Sequence, residues 1–139
     1  MSAEALRFGS ALYRAHSVLQ QCLDERLGDW HGLSLGDFYL LQALDEQPGL
    51  ALQALAGALF QTPAATLRRV QPMEKIGWIE RTGGQVQLRP AGRQLLAEAR
   101  QTAEAVYARV LQPLGIGAEH MAPGWQLLAQ LVTAKRGVQ

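Results

Sequence analysis

The chain has 139 residues, 48% of them hydrophobic, with 13 Lys+Arg against 12 Asp+Glu and a pI near 8.0. That length suits one domain, or one compact unit with appended helices, and near-neutrality excludes a molecule-wide field for a polyanion, so any nucleic-acid contact must come from locally clustered cations. The start of the chain lacks the basic, apolar and small-residue segments of a signal peptide. No apolar run approaches the ~20 residues that span a bilayer, so the chain reads as cytoplasmic with no membrane partner. Cys22 is the single cysteine; it excludes an internal disulfide and a Cys-rich zinc site, and it reads as a small buried hydrophobe, with a redox thiol as the alternative.

From Glu4 to Leu27 the positions Leu12, His16, Leu19, Leu23 and Leu27 recur at spacings of three and four, which predicts a long amphipathic helix. Gly28 is its expected stop, followed by a loop over Asp29–Leu33 that holds Trp30 and His31. Ser34-Leu35-Gly36-Asp37 is a capping-box pattern, with Asp37 able to reach back to the Ser34 N–H; Phe38, Leu41 and Leu44 then share one face, and Pro48-Gly49 ends the run. A third, short helix spans about Ala51 to Leu59, with Leu52, Leu55 and Leu59 on one side.

A fourth helix starts with Thr62 as cap and Pro63 at the first helical position, where a missing N–H costs nothing. Only Phe60 and Gln61 separate the third and fourth helices. A turn this tight forces the two to cross, which is the helix-turn-helix arrangement. Gly77 is the expected C-terminal cap, after which Ile79, Arg81, Val86 and Leu88 alternate with polar residues around Gly83-Gly84, predicting a hairpin. Pro90 opens a long helix to about Leu111 with a stripe of Leu95, Ala99, Ala103, Val106 and Val110. Pro113, Gly115 and Gly117 break the chain before a last helix carrying Met121, Trp125, Leu128 and Val132 and ending near Lys135-Arg136.

The predicted fold is mostly α, an α+β winged helix. It divides into an N-terminal dimerisation helix and loop over 1–34, a winged helix-turn-helix over 35–92, and C-terminal dimerisation helices over 93–139. The apolar stripes at both chain ends have too little of this small domain to pack on, which points to a homodimer.

Residues 49–79 (GLALQALAGALFQTPAATLRRVQPMEKIGWI) resemble, without a gap, the helix-turn-helix of the multiple-antibiotic-resistance regulator (MarR) family. The Leu55-Ala56 pair, Thr62, Arg68, Val70, Met73, Glu74, Gly77 and Ile79 carry the likeness, and Leu88-Arg89-Pro90-Ala91-Gly92-Arg93 is similar to the family's exit from the wing. The resemblance implies a homodimeric transcriptional regulator, often tuned by a small aromatic ligand or by oxidation. Three positions depart from the pattern: the wing between Arg81 and Leu88 is short and lacks the family's Asp-x-Arg, Pro72 sits inside the recognition helix, and Ala51 replaces a capping Ser or Thr. Pro72 removes a backbone hydrogen bond and predicts a bent last turn, at a cost of about 3 kcal/mol unless the bend is accommodated.

The expected function is a dimeric DNA-binding repressor that reads a pseudo-palindromic operator in double-stranded DNA through a recognition helix at 62–76. The alternative is a winged-helix dimer with weak DNA binding that serves as a ligand-binding or protein-interaction module. The expected DNA contacts are Thr62, Pro63, Ala64, Ala65 and Thr66 at the helix start, then Arg68 and Arg69, with Lys75, Arg81 and Arg89 on phosphates or, as the alternative, on ordinary solvated surface. Arg68 is favoured as the reader, and the alternative for Arg69 is to cover the solvated side of the helix. Tyr13, His16, Trp30 and Tyr39 are candidates to line a ligand crevice, with ordinary core packing as the alternative. His16, His31 and His120 lie in separate elements without ligand spacing, and no phosphate loop or nucleophile motif occurs, so neither catalysis nor a metal or cofactor is expected. In peroxide-sensing members of the family the reactive cysteine stands where this chain has Gly9, so Cys22 is not expected to release DNA on oxidation.

Overall fold

A computed structural model describes residues 1–138, with side chains described through residue 134. Helix α1 (Ser2–His31) precedes α2 (Leu35–Glu46), the two-residue strand β1 (Leu50–Ala51), α3 (Leu52–Ala58) and α4 (Pro63–Ile76). The hairpin β2 (Ile79–Thr82) and β3 (Gln85–Leu88) follows, then α5 (Pro90–Leu111), a 3₁₀ turn (Gln112–Leu114) and α6 (Ala118–Val138). The three strands form one antiparallel sheet in the order β1-β3-β2, with Ile79 opposite Leu88 and Leu50 opposite Val86.

Local chemistry explains the boundaries. Ser34 Oγ accepts from the Asp37 N–H at 3.1 Å, and Asp24 of α1 accepts from the Leu35 N–H at 2.8 Å, so two orphan donors of α2 are satisfied. Thr62 Oγ1 caps α4 by accepting from the Ala65 N–H at 3.1 Å, and Pro63 follows it. At the other end Gly77 (φ 98) and Trp78 return N–H groups to Glu74 and Met73, the double closure that a left-handed glycine permits. Gly83 (φ 60) and Gly84 (φ 82) both take the left-handed conformation that a two-residue hairpin needs.

Several expectations need correction. Helix α1 passes through Gly28 and ends one turn later at Gly32 (φ 61), so Trp30 and His31 belong to the helix rather than to a loop. Residues Leu50–Ala51 form a strand, and the third helix begins at Leu52 and ends at Ala58, with Ala51 as a cap that offers no side-chain bond. In α5 it is Leu96, not Leu95, that is buried beside Ala99 and Ala103. Helix α4 keeps the extent expected of it, running to Ile76 with Pro72 inside it. The last helix extends to Val138, and the side chains of Lys135 and Arg136, expected to close it, lie outside the described residues.

The core gathers Leu23 and Leu27 of α1, Phe38, Leu40, Leu41 and Leu44 of α2, Leu55, Val70, Met73, Ile79 and Val86, and closes with Leu96 and Ala99 of α5. Each such Leu contributes about 1.5–3 kcal/mol by leaving water. It fixes the helix-turn-helix against the middle of α5 and the C-terminal half of α1. Beyond that core both chain ends stand out: Leu6, Phe8, Leu12 and Val18 of α1 are exposed, as are Trp125, Leu127, Leu128, Leu131 and Val132 of α6. No helix among the described residues is long and apolar enough to cross a membrane.

Candidate nucleic-acid interface

Helix α4 has two distinct sides. Thr66, Val70 and Met73 are buried, while Ala64, Arg68, Gln71, Pro72 and Lys75 are exposed at spacings of four, three, one and three. These spacings place the exposed group on one continuous stripe, which begins at the exposed cap pair Thr62-Pro63. Among the described residues Arg68, Lys75 and Arg89 make no ion pair. Arg89 is exposed and caps α5, and its N–H donates to the Trp78 carbonyl at 2.9 Å.

The other expected contacts are occupied inside the protein. Thr66 is fully buried, and its hydroxyl donates to the Thr62 carbonyl at 3.0 Å, so it presents nothing outwards. Arg69 turns back towards α2: its Nη1 donates to Asp37 Oδ1 at 3.0 Å and lies 3.4 Å from Ser34 Oγ. The Asp37 carboxylate therefore faces Arg69, and only the Ser34 half of the expected capping box is made as predicted. Arg81 holds Glu74 with a fork: Nη2 donates at 2.9 Å to Oε1, and Nε donates at 3.2 and 3.1 Å to the two carboxylate oxygens. This hydrogen bonding draws the Glu74 carboxyl below its ordinary value and raises the Arg81 guanidinium. The wing's one arginine is thereby tied to the last turn of α4, and the Thr82-Gly83-Gly84-Gln85 tip carries no charge.

Gln71 was not among the sequence candidates, yet it sits on the exposed stripe between Arg68 and Lys75. The signal was available in its i+3 spacing from Arg68.

The four candidate ligand residues separate. His16 and Tyr39 line one groove of about 630 Å³ between α1, α2 and the α3–α4 turn, together with Gln61 and Arg69. Trp30 instead lines a cleft of about 310 Å³ between α1 and α5, where the Arg26 guanidinium lies 4.9 Å from its ring and where Cys22 is half-buried. Tyr13 is exposed further along α1. At the groove, the Tyr39 hydroxyl meets the Tyr107 hydroxyl of α5 at 2.9 Å. Burial, and then that hydrogen bond, push the Tyr107 phenol well above its ordinary value. The Gln61 Oε1 atom is buried without a hydrogen-bond partner among the described residues. The histidines stay apart: His31 contacts Thr102 Oγ1 at 2.7 Å, and His120 belongs to α6.

A family model described as winged helix-turn-helix DNA-binding matches residues 37–80. Over 88% of this chain and 95% of the other, the protein is 30% identical to the Mycobacterium tuberculosis MarR family protein Rv2887, solved in complex with DNA, with a TM-score of 0.76. The chain belongs to the MarR family. The same Mycobacterium protein solved with salicylic acid aligns at 30% identity over 88% of this chain and 96% of that one, with a TM-score of 0.70. A MarR family transcriptional regulator from Silicibacter pomeroyi, 23% identical with 96% of each chain covered, shares the fold at a TM-score of 0.80. No curated protein sequence matches. The protein is thus a winged-helix DNA-binding transcriptional regulator of the MarR type, and its mostly helical winged-helix fold agrees with the fold class predicted from sequence.

Proposed function

We propose that this MarR-type regulator acts as a homodimeric repressor, cytoplasmic in location, that reads a pseudo-palindromic operator with two copies of α4. The observation that carries the proposal is the exposed stripe of α4, where Arg68, free of any ion pair among the described residues, is flanked by Ala64, Gln71 and Lys75. Recognition helices place such a stripe in the major groove, with arginine suited to guanine and glutamine to adenine. Thr62, Pro63, Ala64 and Ala65 approach the backbone or thymine methyls, and Lys75 and Arg89 serve phosphates. The wing contributes little, because Arg81 is engaged by Glu74 and the tip is neutral.

The exposed apolar residues of α1 and α6 support dimerisation, since large apolar side chains clustered on two helices mark a surface that a partner covers. In this reading 1–34 and 93–139 supply the paired helices, and 35–92 the DNA-binding lobe. The groove at His16, Tyr39, Gln61 and Arg69 suits a small aromatic acid: aromatic walls, a guanidinium on the rim, and an orphaned acceptor for a hydroxyl. The relative solved with salicylic acid binds a molecule of that class.

The test is selection of bound fragments from the source genome, followed by native mass spectrometry of the complex. The expected outcome is an inverted repeat with half-sites about one helical turn apart and two chains per site. One chain per site, or fragments without an inverted repeat, would overturn the proposal.

A further inference from the structure

Arg69 is next to the proposed reader in sequence but is used differently. Its guanidinium lies across the first turn of α2, bonded to Asp37 and close to Ser34, whose hydroxyl also caps that helix. Between those two residues stands Gly36, where an added Cβ would overlap the Arg69 guanidinium itself. The absence of a side chain at position 36 provides the bed in which the guanidinium rests. Val70 and Met73 of α4 share the core with Phe38, Leu41 and Leu44 of α2, and the Arg69–Asp37 ion pair adds a directional polar link between the two helices at its edge.

We infer that Arg69 is a positioning residue: its clamp on Asp37 sets the angle at which α4 projects, and so the presentation of Arg68 and Gln71 to DNA. The inference rests on α4 being the recognition helix. Both partners of the pair are about one-third exposed, so the clamp adds little to global stability, and its effect falls on orientation. A planar fork suits that task, because it fixes direction as well as distance.

The two roles predict opposite signs at Asp37. If Arg69 positions the helix, Asp37→Ala and Arg69→Ala each weaken operator binding, by about threefold per protomer and about tenfold for a dimer, and the double variant loses nothing further. The slope of affinity against salt then stays that of the parent protein. Gly36→Ala displaces the guanidinium, so it should weaken binding equally while the melting temperature holds or rises, since alanine favours a helix over glycine. The inference is overturned if Asp37→Ala binds as well as or better than the parent protein, if the two losses add, if Arg69→Ala lowers the salt slope by about one per protomer, or if Gly36→Ala binds normally. A readout without DNA accompanies these: spin labels at Glu46 and Gln71 should give a broader distance distribution in Asp37→Ala than in the parent protein. An unchanged distribution would also overturn the clamp. That measurement separates failure of the clamp from failure of operator binding, which would show as absence of any shift by the parent protein.

Discussion

Among the described residues, Tyr107 is a phenol held from its ordinary ionisation by burial and a partner hydroxyl. Burial and the Tyr39 hydroxyl keep its phenol protonated well above the ordinary value near 10. Its folded-state pKa is raised, so its contribution to stability is fully present below the unfolded value near 10 and is lost as pH rises beyond it, where the unfolded chain ionises first. A spectrophotometric titration of the folded protein should show a late-ionising tyrosine that disappears in Tyr107→Phe; titration of all tyrosines together near pH 10 would contradict the assignment. Gly92 is equally constrained for a steric reason. An added Cβ would run into the Trp78 carbonyl, which already accepts from the Arg89 N–H, so the backbone cannot yield cheaply. Gly92→Ala should cost about 1–3 kcal/mol in denaturant unfolding, and an unchanged midpoint would show that α5 can slide away from the wing.

Among the elements, α4 carries an internal proline at a position facing water. Pro72 supplies no N–H to the Arg68 carbonyl, so Pro72→Ala should stabilise the protein by up to about 3 kcal/mol. A lower melting temperature would mean that the proline shape is needed by the neighbouring β2. The ends of this helix were legible in the sequence because caps are local chemistry: Thr62-Pro63 and Gly77 declare themselves, as does Gly83-Gly84 in the hairpin. The end of α1 was not, because Gly28 and Gly32 are equally good stops on paper. The continued helical stripe is decided by packing of the neighbouring Leu27 and by His31 meeting Thr102 in α5. Strand β1 was invisible because two residues have no period, and its existence depends on pairing with Gln85 and Val86 far along the chain. The same limit applied to the interface. Helical spacing would have separated Thr66 from the exposed stripe and added Gln71, but nothing local announced that Arg69 and Arg81 have carboxylate partners 32 and 7 residues away.

At the scale of the whole molecule, the core serves the helix-turn-helix and the middle of α5, and leaves uncovered apolar side chains on the first half of α1 and on α6 from Met121 to Val132. Trp125 and Leu128 are 61% and 42% exposed, which a second copy of the chain would relieve. Sedimentation equilibrium should give twice the chain mass of 15.2 kDa for the parent protein and dissociation for Trp125→Glu with Leu128→Glu; a monomeric parent protein would contradict a paired arrangement. In the proposed function the stripe beginning at Thr62 reads DNA with Arg68 as its main donor. This role is tested most directly by a low-salt gel shift on duplex from upstream of the protein's own gene, comparing the parent protein with Arg68→Ala. The expected result is a shift by the parent protein and a loss of about 1–3 kcal/mol per protomer in the variant. Equal binding by the two, or no shift by either, would contradict it.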